Sequence, residues 1–127
     1  MYFLTVKADF SSAHALRGYE GACEHLHGHN WLVEATVRTR GLDELGMGID
    51  FKLLKSHLRE LCDKLDHRYL NEIPPFDKLN PTSENLARYL AEQLQERLKN
   101  ETPTVLVWEV TVWESENSRA SWRVEER

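Results

Sequence analysis

Residues 30–40 read Asn30-Trp31-Leu32-Val33-Glu34-Ala35-Thr36-Val37-Arg38-Thr39-Arg40, with Trp31, Val33, Ala35 and Val37 on one side of a period of two. That alternation predicts a strand with one buried face. Toward the N-terminus, Tyr2, Leu4, Val6, Ala8 and Phe10 alternate in the same way against Thr5, Lys7 and Asp9. Residues 15–29, with Gly18, Gly21 and Gly28 and no clear period, are expected to form a loop between the two strands. Toward the C-terminus, Gly41, Gly46 and Gly48 mark a connection, and Asp50 is the expected N-cap of a helix carrying Phe51, Leu54, Leu58, Leu61 and Leu65. Pro74, Pro75 and Pro81 place a loop over 66–81. A second helix starts near Thr82, with Leu86, Leu90, Leu94 and Leu98 four apart. Two further strands follow. One, over 104–114, carries Leu106, Trp108, Val110 and Val112 on one face; the other, over 118–126, carries Ala120, Trp122 and Val124. Glu116-Asn117-Ser118 supply the turn between them.

The order is ββααββ. It implies an α+β fold, with a four-stranded antiparallel sheet and two helices on one face, in a single domain over 1–127. Such a sheet leaves open edges, and open edges invite pairing with other copies, so a homo-oligomer is expected.

Composition narrows the partners. A net charge of −5 argues against nucleic acid, whose phosphates need a positive surface. No apolar run is long enough to span a bilayer, and the first residues show no basic leader followed by an apolar stretch. The reading therefore expects a cytoplasmic protein with no membrane partner. Cys62 falls in a helical pattern, where a small buried role suits it, whereas Cys23 lies among glycines and histidines.

The densest chemistry is Cys23-Glu24-His25-Leu26-His27-Gly28-His29, which holds three of the six histidines. In extended backbone His27 and His29 point the same way, about 6–7 Å apart at Cα. Two imidazoles so placed can converge on one ion at Zn–N distances of about 2.0–2.1 Å. His14 shares the parity of Phe10 and is the best third ligand. Three histidines leave one position open, which is the pattern of a catalytic rather than a structural zinc. His25 has the opposite parity and reads as a non-ligand. Cys23 stands either as a fourth ligand or as a thiolate base favoured by a nearby ion. Asp66-His67 closes the first helix. It reads equally as a proton-carrying pair and as a histidine complementing the helix dipole. Glu114 continues the apolar face of Val110 and Val112. Either the strand has emerged into solvent there, or the carboxylate awaits a ligand with two adjacent N–H donors.

Five motifs occur in register: Cys23-x-x-x-His27-Gly28-His29, Gly46-Met47-Gly48-Ile49-Asp50-Phe51, Leu65-Asp66-His67-x-x-Leu70-Asn71, Pro81-Thr82-Ser83-Glu84-Asn85 and Val112-Trp113-Glu114-Ser115. Together they resemble the 6-pyruvoyltetrahydropterin synthase family nearly end to end. The three-residue spacing between Cys23 and His27 is similar to the family's bacterial branch, the 6-carboxy-5,6,7,8-tetrahydropterin synthases of queuosine biosynthesis. Asn30-Trp31 stands where the family often has Asn-Tyr. The resemblance implies the tunnelling fold, with three subunits closing a barrel and two trimers stacking as a homohexamer. It implies Zn2+ on His14, His27 and His29, and proton transfer by Cys23 with Asp66 and His67. It makes Glu114 the pterin anchor and places Thr82 and Ser83 near the ring. The implied reaction takes 7,8-dihydroneopterin triphosphate to 6-carboxytetrahydropterin, acetaldehyde and triphosphate. The rival readings are the pyruvoyl-forming synthase and a zinc-stabilised pterin-binding protein without turnover. Lys7, Arg17 and Lys52 are candidates for the triphosphate.

Overall fold

A computed structural model describes residues 1–19 and 25–125. The strands β1 (Tyr2–His14), β2 (His27–Thr39), β3 (Leu106–Ser115) and β4 (Ser118–Arg123) form one antiparallel sheet in the order β1-β2-β3-β4. The helices α1 (Phe51–Asp63) and α2 (Ser83–Glu101) pack on one face of it, α1 over β1 and α2 over β3 and β4. Caps sit where the sequence places them. Asp50 accepts from the Lys52 amide at 2.8 Å, and Thr82 accepts from the Asn85 amide at 3.1 Å.

The alternating positions meet between sheet and helices. Val6, Ala8 and Phe10 of β1, Trp31, Val33, Ala35 and Val37 of β2, and Val110 and Val112 of β3 are buried against Leu54, Leu58, Leu61, Leu86, Leu90 and Leu94. Cys62 is a free, buried thiol, and burial pushes its pKa up to about 12. Among the described residues no helix is long and apolar enough to cross a membrane.

Three expectations change. The first two strands run further than expected: His14 ends β1, and His27 and His29, expected in the loop over 15–29, lie in β2. The alternation that buries Phe10 and Trp31 continues through them. Phe51 is 57% exposed, and Ile49, just before it, fills the core position at that end of α1. Leu106 and Trp108 do not share the face of Val110 and Val112. Thr36 lies opposite Glu109 but Val37 lies opposite Val107, so Trp108 is an extra residue, and this β-bulge reverses the phase of β3. Val107 is thereby turned into the core, and its amide donates to Gln95 Oε1 of α2 at 2.8 Å. Trp108 turns to the helix-free face, beside Phe3 and under Arg38.

Candidate metal centre

The pairing of β1 with β2 sets His14 opposite His27 and Ser12 opposite His29. All three histidines have the parity of the buried face, so their rings gather at one end of the sheet, on the helix side. Trp31 forms the floor. Its ring lies 4.9 Å from that of His14 and 5.2 Å from that of His29, and its Nε1 donates to the Ser12 carbonyl at 3.1 Å. Glu114 arrives from β3 on the same face. Trp113 lies opposite Arg119 and Ser115 opposite Ser118, so Glu114 is the extra residue of a second bulge. Bulges of this kind re-aim a side chain. One ligand atom from each of His14, His27, His29 and Glu114 lies within 4.8 Å of the other three.

Two backbone carbonyls settle which ring nitrogens carry protons. His14 Nδ1 lies 2.7 Å from the Pro81 carbonyl, and His27 Nδ1 lies 2.6 Å from the His25 carbonyl. A carbonyl can only accept, so each Nδ1 donates, and in the neutral ring each Nε2 is left with a lone pair. Those Nε2 atoms face each other at 3.0 Å. Two lone pairs at that distance repel unless a cation lies between them. Burial holds the pKa of His14 below the ordinary histidine value, the Pro81 carbonyl opposing and His27 reinforcing it. Burial does the same for His29, there against the pull of Glu114. Neutral imidazole is the form that binds metals.

His29 Nε2 is buried without a hydrogen-bond partner, although Glu114 Oε1 is 3.3 Å away. An orphaned buried nitrogen aimed at two others and a carboxylate fits a metal ion. Atoms about 2.0–2.2 Å from a tetrahedral ion are separated from one another by about 3.3–3.6 Å; here the His14–His27 and His29–Glu114 gaps are 3.0 and 3.3 Å, and all four atoms lie within 4.8 Å. The residues present can therefore hold a divalent ion.

The other expected site residues fall around this group. Thr82 caps α2, and Ser83 is buried in its first turn, directly after the Pro81 carbonyl that holds His14. Asp66 and His67 are paired, Nδ1 to Oδ2, at 2.8 Å. Asp66 Oδ1 accepts from the Ser11 amide at 2.8 Å, and this bond and the one from His67 hold its pKa below the ordinary carboxylate value. His67 has a left-handed backbone, φ 53°, and its amide donates to the Ser11 carbonyl at 2.6 Å. A non-glycine residue held in that region costs of order 1 kcal/mol or more, so neighbouring bonds must hold it there. The pair runs along the free edge of β1. The His67 side chain is 81% exposed and is not gathered into the His14–His27–His29–Glu114 group. Cys23 lies outside the described residues. His25 is exposed and contributes its carbonyl.

Of the triphosphate candidates, Arg17 is engaged in holding the fold. Its guanidinium donates to the Phe76 carbonyl at 2.6 Å and the Asn71 carbonyl at 3.2 Å. Lys7 projects from the helix-free face, and Lys52 lies in the first turn of α1, at the opposite end of the sheet from the histidines. Sequence reasoning missed the Pro81 and His25 carbonyls, which carry no side-chain signature. It named Asn71 only within a motif, without its role: the amide side chain clamps Ala15 by bonds of 2.9 and 2.7 Å and so fixes the chain just after His14.

This geometry has close counterparts. A family model described as 6-pyruvoyl tetrahydropterin synthase matches residues 3–125. The chain is 32% identical to the 6-pyruvoyl tetrahydrobiopterin synthase of Dictyostelium discoideum, over 96% of each chain. It is 36% identical to the 6-carboxy-5,6,7,8-tetrahydropterin synthase of Synechocystis, over 76% of this chain and 77% of that one. The solved structure of the Caenorhabditis elegans 6-pyruvoyl tetrahydropterin synthase superposes with a TM-score of 0.82 at 27% identity, covering 98% of both chains. Sheet and helices thus belong to a tunnelling-fold enzyme of pterin metabolism, and the chain is a member of the 6-pyruvoyl tetrahydropterin synthase family.

Proposed function

We propose that this chain is a zinc-dependent carbon–carbon lyase. It converts 7,8-dihydroneopterin triphosphate, with uptake of water, to 6-carboxy-5,6,7,8-tetrahydropterin, acetaldehyde and triphosphate, in the cytoplasmic route to queuosine and related 7-deazapurines. The carrying observation is the convergence of His14, His27 and His29 with Glu114 at one end of the sheet. The Cys23-x-x-x-His27 spacing and the likeness to the Synechocystis relative favour this branch.

In this reading His14, His27 and His29 hold Zn2+, which supplies Lewis acidity to the side-chain oxygens of the substrate. Glu114 accepts the paired N–H donors of the pterin edge, and Thr82 and Ser83 line the ring. Cys23, as thiolate, removes a proton from the substrate side chain. Asp66 orients His67, which carries protons on the other face; such groups contribute about 10²–10⁴-fold each. Because His67 stands exposed on the edge of β1, it serves the site of a neighbouring copy in a homohexamer built as a dimer of trimers.

A second reading, the pyruvoyl-forming synthase, is favoured by the likeness to the Dictyostelium relative, which extends over 96% of each chain. One incubation with dihydroneopterin triphosphate separates the two. Acetaldehyde released together with 6-carboxytetrahydropterin supports the lyase. Pyruvoyltetrahydropterin without acetaldehyde overturns it in favour of the synthase. Pterin binding without any turnover would leave a binding protein.

A further inference from the structure

We propose that Glu114 is an exchangeable fourth protein ligand. In the pterin-free chain its carboxylate closes the metal position built by His14, His27 and His29, and it leaves that position to take the paired N–H donors of an arriving pterin. The inference rests on the function proposed above and deepens it by giving one carboxylate two successive partners.

Distance is the first support. Glu114 Oε1 lies 3.3 Å from His29 Nε2, yet that nitrogen has no hydrogen-bond partner. The contact is therefore not a hydrogen bond, whereas two ligands of one tetrahedral ion sit about 3.3–3.6 Å apart. The strand is the second. Glu114 is the extra residue of the bulge between Trp113 and Ser115, freed from a regular pairing position and turned into the group.

Charge is the third. The carboxylate continues a face otherwise made of Val110 and Val112, and among the described residues no lysine or arginine pairs with it. A half-buried carboxylate on an apolar face needs a positive partner or several donors. The metal is one such partner and a guanidine-like heterocycle edge is another. The two oxygens sit too close together to serve both fully at once. A side chain still 31% exposed can exchange one for the other.

The test uses the full chain loaded with Co2+ in place of zinc, with metal affinity measured by chelator competition and coordination by visible absorption. The probe is 6-unsubstituted pterin, which has the N–H edge and no side-chain oxygens. Glu114→Gln should weaken metal binding about tenfold or more without pterin and alter the Co2+ bands. Adding pterin to the wild-type chain should move its spectrum toward that of Glu114→Gln. Wild-type affinity and bands in Glu114→Gln would overturn the inference while leaving the pterin reading intact. Pterin binding that leaves the wild-type bands unmoved would overturn the exchange. If pterin binds neither chain, both the exchange and the pterin reading fall, whatever the metal affinities.

Discussion

His14 and His27 stand directly opposite each other on β1 and β2, and their Nε2 atoms approach to 3.0 Å. Each has its Nδ1 proton committed to a carbonyl, so the sheet brings two lone pairs together and leaves them for a cation to reconcile. The candidate metal centre is thus built into the strand register itself.

Metal should therefore stabilise the fold, and the increment should depend on the facing pair. At a free zinc concentration a hundredfold above Kd, linkage gives about 2.7 kcal/mol. Thermal melts with and without a chelator should differ accordingly in the wild type and coincide in His27→Ala. Without metal, His27→Ala should cost little, because it removes one of the two opposed lone pairs. A metal-dependent rise in Tm that survives in His27→Ala would refute the assignment.

Asp66 gives the pH dependence. Its pKa is depressed in the folded chain, first by the Ser11 amide and then by His67. A depressed carboxylate contributes stability above its unfolded pKa and loses it as pH falls through the folded one. Asp66→Asn should therefore be less stable than the wild type at neutral pH, and the gap should close below about pH 4. A difference in Tm that stays constant from pH 7 to pH 3 would show that the Asp66 charge is not the cause.

Arg17 separates folding from substrate binding. Its guanidinium ties the buried Phe76 and the clamp residue Asn71 by their carbonyls. Hydrogen bonds from a charged donor are worth about 1.5–3 kcal/mol, and less where water competes. Arg17→Ala should lower denaturant stability by about 1–2 kcal/mol and leave KM for the proposed substrate, dihydroneopterin triphosphate, close to wild type. A large rise in KM at unchanged stability would restore Arg17 to the triphosphate site.

Much of this was legible in the chain. A period of two marks half-buried strands because alternate side chains meet the helices, and that rule placed Val6, Val33 and Val110 correctly. It also carried His14 onto the face of Phe10. It stopped early at Gly28, since a glycine between histidines reads as a loop, whereas here it lies within β2 opposite Ala13. It failed at Leu106 and Trp108, because one inserted residue changes the phase without changing the apparent alternation. Glu114 could be placed on the face of Val110 and Val112, but not beside the three histidines, since that depends on how β2 and β3 are set in register. Tautomers were beyond reach, because any residue can offer the carbonyls that Pro81 and His25 offer here. Asp66 and His67 were adjacent by sequence, but nothing in the sequence said that they would lie along the open edge of β1.

The extra residue at Trp108 has a consequence for how this strand can vary. Ahead of it, odd-numbered positions of β3 face the helices; beyond it, even-numbered ones do, and Glu114 is among them. Losing Trp108 itself would remove the bulge and leave Val107 and the run from Val110 to Glu114 on the helix face by plain alternation, at the expense of the contacts with Phe3 and Arg38. Losing one residue beyond it, between Val110 and Glu114, would instead turn part of that run away from the helices. Single-residue length changes in β3 are therefore absorbed at one place and ruinous elsewhere, a constraint of arithmetic that no substitution at a single site would reveal.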